Sequence, residues 1–178
     1  MRRLTRCFVA IVVLLAAACA PASAAVLRVP SPEYPTITDA MAAAVSGDTV
    51  LVAAGTYYES GIVMKDGVVI QGAGAEVTTI NGGGTELEAV LIAPPGVTPS
   101  AVLDGFTITG GLRFGGLWIE GSPTITNNII AGNRILDYGG GGISVLGGAP
   151  EISHNTISGN AYVLDLSGPG PSAAGGIY

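Results

Sequence analysis

From residue 25 onward the apolar positions come in runs of three to five residues, broken by Gly, Pro, Asn or Asp. That punctuation predicts short strands joined by tight corners. Val50-Leu51-Val52 follows the turn Gly47-Asp48, and Val68-Val69-Ile70 follows Asp66-Gly67. Gly72, Gly74 and Gly82-Gly83-Gly84 mark further corners. Only one stretch reads as helical, Ile37 to Val45. Thr36 is its N-cap and Asp39 stands at the third helical position, a variant of the capping box. Its alanines favour the helix, and Ile37, Met41, Ala44 and Val45 fall on one face.

The same pattern repeats. Gly121-Ser122-Pro123-Thr124-Ile125-Thr126-Asn127-Asn128-Ile129-Ile130-Ala131-Gly132-Asn133 recurs 27 residues later as Gly148-Ala149-Pro150-Glu151-Ile152-Ser153-His154-Asn155-Thr156-Ile157-Ser158-Gly159-Asn160, with seven of thirteen positions identical. Phe106-Thr107-Ile108-Thr109-Gly110-Gly111 is a weaker copy. A second element recurs as Gly115-Gly116-Leu117-Trp118-Ile119, Gly141-Gly142-Ile143-Ser144-Val145 and Gly175-Gly176-Ile177-Tyr178. Each unit has room for two or three short strands and none for a helix. The fixed leucines of a leucine-rich repeat are missing, and a propeller blade needs about 40 residues. A coil of short strands remains, each stacked on its equivalent in the next turn about 4.8 Å away. Like-on-like stacking places Ile125 over Ile152 and Ile130 over Ile157 inside. Asn128 over Asn155 forms a ladder at the bend, where side-chain amides satisfy turn backbone. The lone helix covers the open end of the stack, as terminal units of solenoids must.

The first 24 residues read as an address. Arg2, Arg3 and Arg6 precede an apolar run from Phe8 to Ala20, and Ala22-Ser23-Ala24 supplies small residues at a cleavage site. The run is shorter than the roughly 20 residues of a membrane-spanning helix. A secretory leader cleaved after Ala24 is the expectation. A lipobox-like reading of Leu15-Ala16-Ala17-Ala18-Cys19 is the alternative, with Cys19 lipidated. Both cysteines, Cys7 and Cys19, lie in this segment, so the processed chain has no disulfide. It keeps Arg28, Lys65, Arg113 and Arg134 against all 13 acids, a net charge of −9. That balance argues against a nucleic-acid partner, which takes clustered Lys/Arg. With 11% charged and 48% hydrophobic residues the chain is no disordered polyelectrolyte, and its 28 glycines lack the period of collagen. No further segment predicts a transmembrane span.

Tyr34-Pro35-Thr36-Ile37, Gly47-Asp48-Thr49-Val50-Leu51-Val52 and Gly55-Thr56-Tyr57-Tyr58-Glu59 resemble the entry region of secreted right-handed parallel β-helix proteins of the pectin-lyase-like superfamily. Leu103-Asp104-Gly105-Phe106-Thr107-Ile108-Thr109-Gly110-Gly111 and the Pro-x-Ile-x-x-Asn-x-Ile-x-Gly-Asn units are similar to that family's coil repeat. The resemblance spans about residues 29–178. It implies an all-β, right-handed parallel β-helix solenoid with one short N-terminal capping helix at about 37–45. The expected organisation is a leader at 1–24, a cap segment at 25–46 and coils over 47–178. The chain stops just as Gly175-Gly176-Ile177-Tyr178 opens a new coil, so an uncapped, incomplete C-terminal end is also expected. A bacterial extracellular or cell-surface setting is the expected address.

Chemistry is thinner. Pectate lyases of this superfamily hold calcium with grouped acids. Here Asp104, Glu120, Asp137, Glu151 and Asp165 are scattered, so calcium enters only under a lyase reading and no metal site or cofactor is otherwise expected. The Asn-Thr-Asp, Asp-Asp, Gly-His-Gly and Arg-Ile-Lys motifs of polygalacturonases are missing. His154, the one histidine, reads as an exposed bend residue equivalent to Asn127. No catalytic residue is assigned. After each Gly-Gly pair, alternation puts Leu117, Ile119, Ile143, Val145 and Ile177 inside and Trp118, Ser144 and Tyr178 outside in one column. Nearby loops carry Arg113, Phe114, Arg134, Asp137, Tyr138, Tyr162 and Asp165. An aromatic platform beside Arg and Asp suits a sugar-binding groove. The expectation is a non-catalytic secreted or surface protein binding polysaccharide through these residues. The alternatives are a polysaccharide lyase or glycoside hydrolase with catalytic coils beyond Tyr178, and a purely structural repeat.

Overall fold

The computed structural model of the chain describes residues 23–84, 88–136, 139–163 and 173–178. Three parallel sheets wrap one apolar core. The first face holds Val26–Val29, Thr49–Val52, Val69–Gly72, Val102–Asp104, Thr124–Thr126 and Glu151–Ser153. The second holds Gly55–Tyr58, Thr78–Asn81, Thr107–Thr109, Ile129–Ala131 and Thr156–Ser158. The third holds Ile62–Val63, Leu91–Ala93, Leu117–Ile119 and Ile143–Val145. Each strand pairs with its equivalent one turn away, giving an all-β solenoid of about five turns. Two short pairs stand outside these faces: Arg134–Ile135 with Ala161–Tyr162, and Gly139–Gly140 with Ala173–Ala174.

The register stacks like on like. Leu27, Val50, Ile70, Leu103, Ile125 and Ile152 form one inward row. Tyr57, Ile80, Ile108, Ile130 and Ile157 form a second. Ile62, Leu91, Leu117 and Ile143 form a third. The predicted pairs Ile125–Ile152 and Ile130–Ile157 are both in these rows. Each buried aliphatic side chain contributes about 1.5–3 kcal/mol from lost water contact. The Gly-Gly repeat has a steric cause. A β-carbon at Gly116 would lie 2.8 Å from Gly142 O, and one at Gly142 would lie 3.0 Å from Gly176 O. Neighbouring turns approach too closely there for a side chain.

The predicted Asn128–Asn155 ladder is present, and a second runs beside it. Asn128 Oδ1 accepts the Phe106 amide at 2.9 Å, and its own amide donates to Asn155 Oδ1 at 2.9 Å. Asn133 and Asn160 repeat the arrangement on the Gly111 amide. Asn127 and His154 precede the ladder residues with φ of 54° and 56° and turn the chain at equivalent corners. His154 is exposed there, as expected.

The helix spans Ile37–Ala43, with Thr36 Oγ1 accepting the Asp39 amide at 3.0 Å. Ile37, Ala40, Met41 and Ala44 are buried in the core. Val45, expected on that face, is 54% exposed, because the chain leaves helical geometry at Ala44 and carries Val45 outward. Charged side chains grip both ends of this helix. The Glu59 carboxylate accepts the Ile37 and Thr38 amides at 2.9 and 2.8 Å. The Lys65 ammonium donates to Ala42 O at 2.7 Å and Ala44 O at 3.0 Å. Each charge opposes the partial charge of its helix end.

Two carboxylates join turns and titrate low. Asp48 accepts the Val45 amide at 2.9 Å and the Ala25 amide at 2.8 Å, and these bonds hold its pKa below the usual value. Asp66 accepts the Thr98 hydroxyl at 2.6 Å and the Thr98 amide at 2.8 Å, which also lower its pKa. A carboxylate with a depressed folded pKa adds stability above its unfolded value, near 4, and loses it as pH falls through the folded pKa. The unfolding midpoint is therefore expected to hold steady from pH 7 to about 5 and to drop below about 4. Replacing both groups, as Asp48→Asn with Asp66→Asn, should flatten that acid limb in denaturant titrations across pH. An unaltered limb would show that neither bond is linked to folding.

Candidate functional site

The third face carries the candidate groove. Its outward row runs Val63, Ile92, Trp118 and Ser144. Alternation along Leu117–Ile119 buries Leu117 and Ile119 and leaves Trp118 half-buried on the outer surface. Phe114, three residues before the strand, packs against it edge to face with ring centroids 4.9 Å apart and planes at 76°. A backbone bridge from Phe114 to Ile135 ties this loop to the neighbouring turn. The Arg113 guanidinium lies 5.2 Å from the Phe114 centroid, close enough for a cation–π contact. Trp118 Nε1 donates to Glu120 Oε1 at 3.1 Å, which fixes the indole. Glu88, Ala89 and Ile92 complete an open groove of about 310 Å³ with Phe114, Trp118 and Glu120. An edge-to-face aromatic pair and two acidic residues thus line one concavity. Apolar ring surface there can take up a flat apolar face, while carboxylates accept hydroxyl protons.

The predicted residues divide. Trp118, Phe114 and Arg113 come together. Arg134 is exposed on a strand pair outside the three faces, and Tyr162 is half-buried on the partner strand opposite Ile135. Neither lines the groove, and Arg113 reaches it only through its contact with Phe114. Asp137, Tyr138 and Asp165 lie outside the described residues.

The expected outward column of Trp118, Ser144 and Tyr178 is broken at its middle. Ser144 is 0% exposed. The segment Gly139–Gly140 folds over it, with the Gly140 amide donating to Ser144 Oγ at 2.9 Å. A β-carbon at Gly139 would lie 2.4 Å from that oxygen, so only glycine permits this approach. Tyr178 stands beyond the cover, 48% exposed and held through backbone bonds to Ile143 and Val145. Ile177, expected inside, is 49% exposed, since it bridges to Ile143 on one side and no described turn stacks on the other.

Glu88, Ala89 and Ile92 were not legible as site residues. The register shows Ile92 one turn from Trp118, so Ala89-Val90-Leu91-Ile92-Ala93 is the counterpart of Gly115-Gly116-Leu117-Trp118-Ile119. Without the Gly-Gly pair the two segments do not look alike. Glu120, one of the scattered acids in the sequence, is placed at the groove by its bond to Trp118.

Among the described residues, no cluster of three or more His, Cys, Asp or Glu side chains has the arrangement to hold a metal ion. Among them, too, no helix is long and apolar enough to cross a membrane. No curated protein and no solved structure matches the chain. Residues 30–175 match the family described as "Protein of unknown function (DUF1565)", which takes in almost every turn of the solenoid. The chain belongs to the DUF1565 family.

Proposed function

We propose that this chain is a secreted or surface-held, non-catalytic solenoid that binds polysaccharide in the groove under Trp118 and Phe114. The observation that carries the reading is the edge-to-face aromatic pair that lines an open concavity together with Glu88 and Glu120. A pyranose ring presents an apolar face to aromatic carbon and hydroxyls to carboxylates. The leader-like residues 1–24 and the resemblance to secreted β-helix proteins of the pectin-lyase-like superfamily support the address. Lipidation at Cys19 is the competing form of attachment.

Trp118→Ala is expected to weaken binding on a glycan array, or in affinity electrophoresis with soluble polysaccharides, by at least about tenfold, as for loss of a central aromatic anchor. Binding equal to that of the wild type would remove the groove from consideration. The presence of two acidic residues, Glu88 and Glu120, in the lining supports a second reading, glycoside hydrolysis, which uses two carboxylates across one bond. Release of reducing ends by the wild type and its loss in Glu88→Gln or Glu120→Gln would favour that reading over simple binding.

A further inference from the structure

We propose that hydrolysis of the Ala24–Ala25 bond creates an N-terminal ammonium that Asp48 is placed to receive, so that leader removal completes the first turn of the solenoid. The inference rests on the leader reading above and adds a structural partner for its product. Ala25 is held from two sides. Its nitrogen donates to Asp48 Oδ1 at 2.8 Å, and its carbonyl accepts the Thr49 amide at 2.9 Å. The next residue, Val26, begins the first strand of the first face. Asp48 is only 5% exposed, and its other oxygen accepts the Val45 amide just past the helix. A carboxylate so covered is normally matched by a positive charge, yet these two partners are backbone amides.

Hydrolysis supplies the charge. Water adds its hydroxyl to the Ala24 carbonyl carbon and a proton to the Ala25 nitrogen as the C–N bond breaks. The new acid then passes its proton to the new amine, leaving a carboxylate on the leader and an ammonium on Ala25. One N–H of that ammonium keeps the direction of the present amide bond to Asp48. The other two face solvent, because Ala25 is exposed. The bond, charged so far only on the Asp48 side, then carries opposite charges on both partners and becomes an ion pair. Lys65, on the Ala42 and Ala44 carbonyls, and Tyr34, whose hydroxyl donates to Glu33 at 3.0 Å, are with Glu33 the other titratable groups around this corner.

The test begins with the N-terminal sequence of the exported protein, expected to start at Ala25. Its α-amine is then labelled with an amine-reactive reagent near pH 7, beside a chain that starts at Ala24. Pairing that raises the amine pKa by about one unit slows labelling about tenfold in the Ala25 form. Asp48→Asn in the Ala25 form should restore the faster rate. If that variant fails to fold, the Ala24-starting chain, with Asp48 intact, carries the comparison. An exported chain that starts elsewhere overturns both the leader boundary and the pairing. A start at Ala25 with equal labelling rates overturns the pairing alone.

Discussion

Phe106→Ala should lower the stability of the folded chain by about 3–5 kcal/mol, the usual effect of deleting a fully buried aromatic ring. Phe106 is 0% exposed and is among the largest buried side chains of the core. It stands at the corner between the first two faces, between Val102–Asp104 and Thr107–Thr109. The turn below cannot close a cavity there, since a β-carbon at Gly72 would already lie 2.3 Å from Gly105 O and 3.2 Å from the Phe106 ring. The backbone of these turns is fixed by pairing on both sides, so relaxation is limited. Domains have about 5–15 kcal/mol of stability, so this one change removes a large share of it. Phe106→Leu, which keeps more of the volume, should cost markedly less. Urea unfolding of the two variants measures both. A loss below about 1 kcal/mol for the alanine variant would mean that the ring does not fill the core as described.

Asn128→Ala should cost about 3 kcal/mol or more, although it removes no apolar group. The Asn128 side chain is buried and serves four partners. It accepts from the Phe106 amide, and its two Nδ2 hydrogens are shared among Leu103 O at 3.0 Å, Thr126 O at 2.7 Å and Asn155 Oδ1 at 3.1 Å. Alanine leaves the Phe106 amide and the Leu103 carbonyl without this partner in a dry corner, and each such group costs about 1–3 kcal/mol. Asn155→Ala, nearer solvent, should cost less. Because the two amides bond each other, the double variant should lose less than the sum of the singles. Strict additivity in denaturant unfolding would show that the ladder is two independent corners.

Much of this architecture was legible from residue order because it obeys two local rules. Side chains alternate along each strand, and each turn copies its neighbour, so Ile125 and Ile152 had to meet once the repeat was aligned. Thr36 and Asp39 likewise marked the helix start. Its end was less legible, since no residue between Ala43 and Val45 forces the exit and Val45 suits a buried face by composition. The groove was only half legible. Trp118, Phe114 and Arg113 lie close in sequence, so their meeting followed from one strand and its preceding loop. Glu88 and Ile92 come from the turn before, where the repeat has lost its glycine pair. The covering of Ser144 by Gly139–Gly140 depends on a loop excursion, and excursions of that kind carry no period to detect.

The inward rows advance from Val50 to Ile70 to Leu103 to Ile125 to Ile152. The spacing changes, yet the partners stay matched. The extra residues fall between the paired strands, and the register of those strands is unchanged. Such a scaffold separates what must be kept from what is free to vary. Loops at the edge of the groove can be lengthened, shortened or exchanged while the interior remains in register, so new recognition chemistry can be grafted one corner at a time.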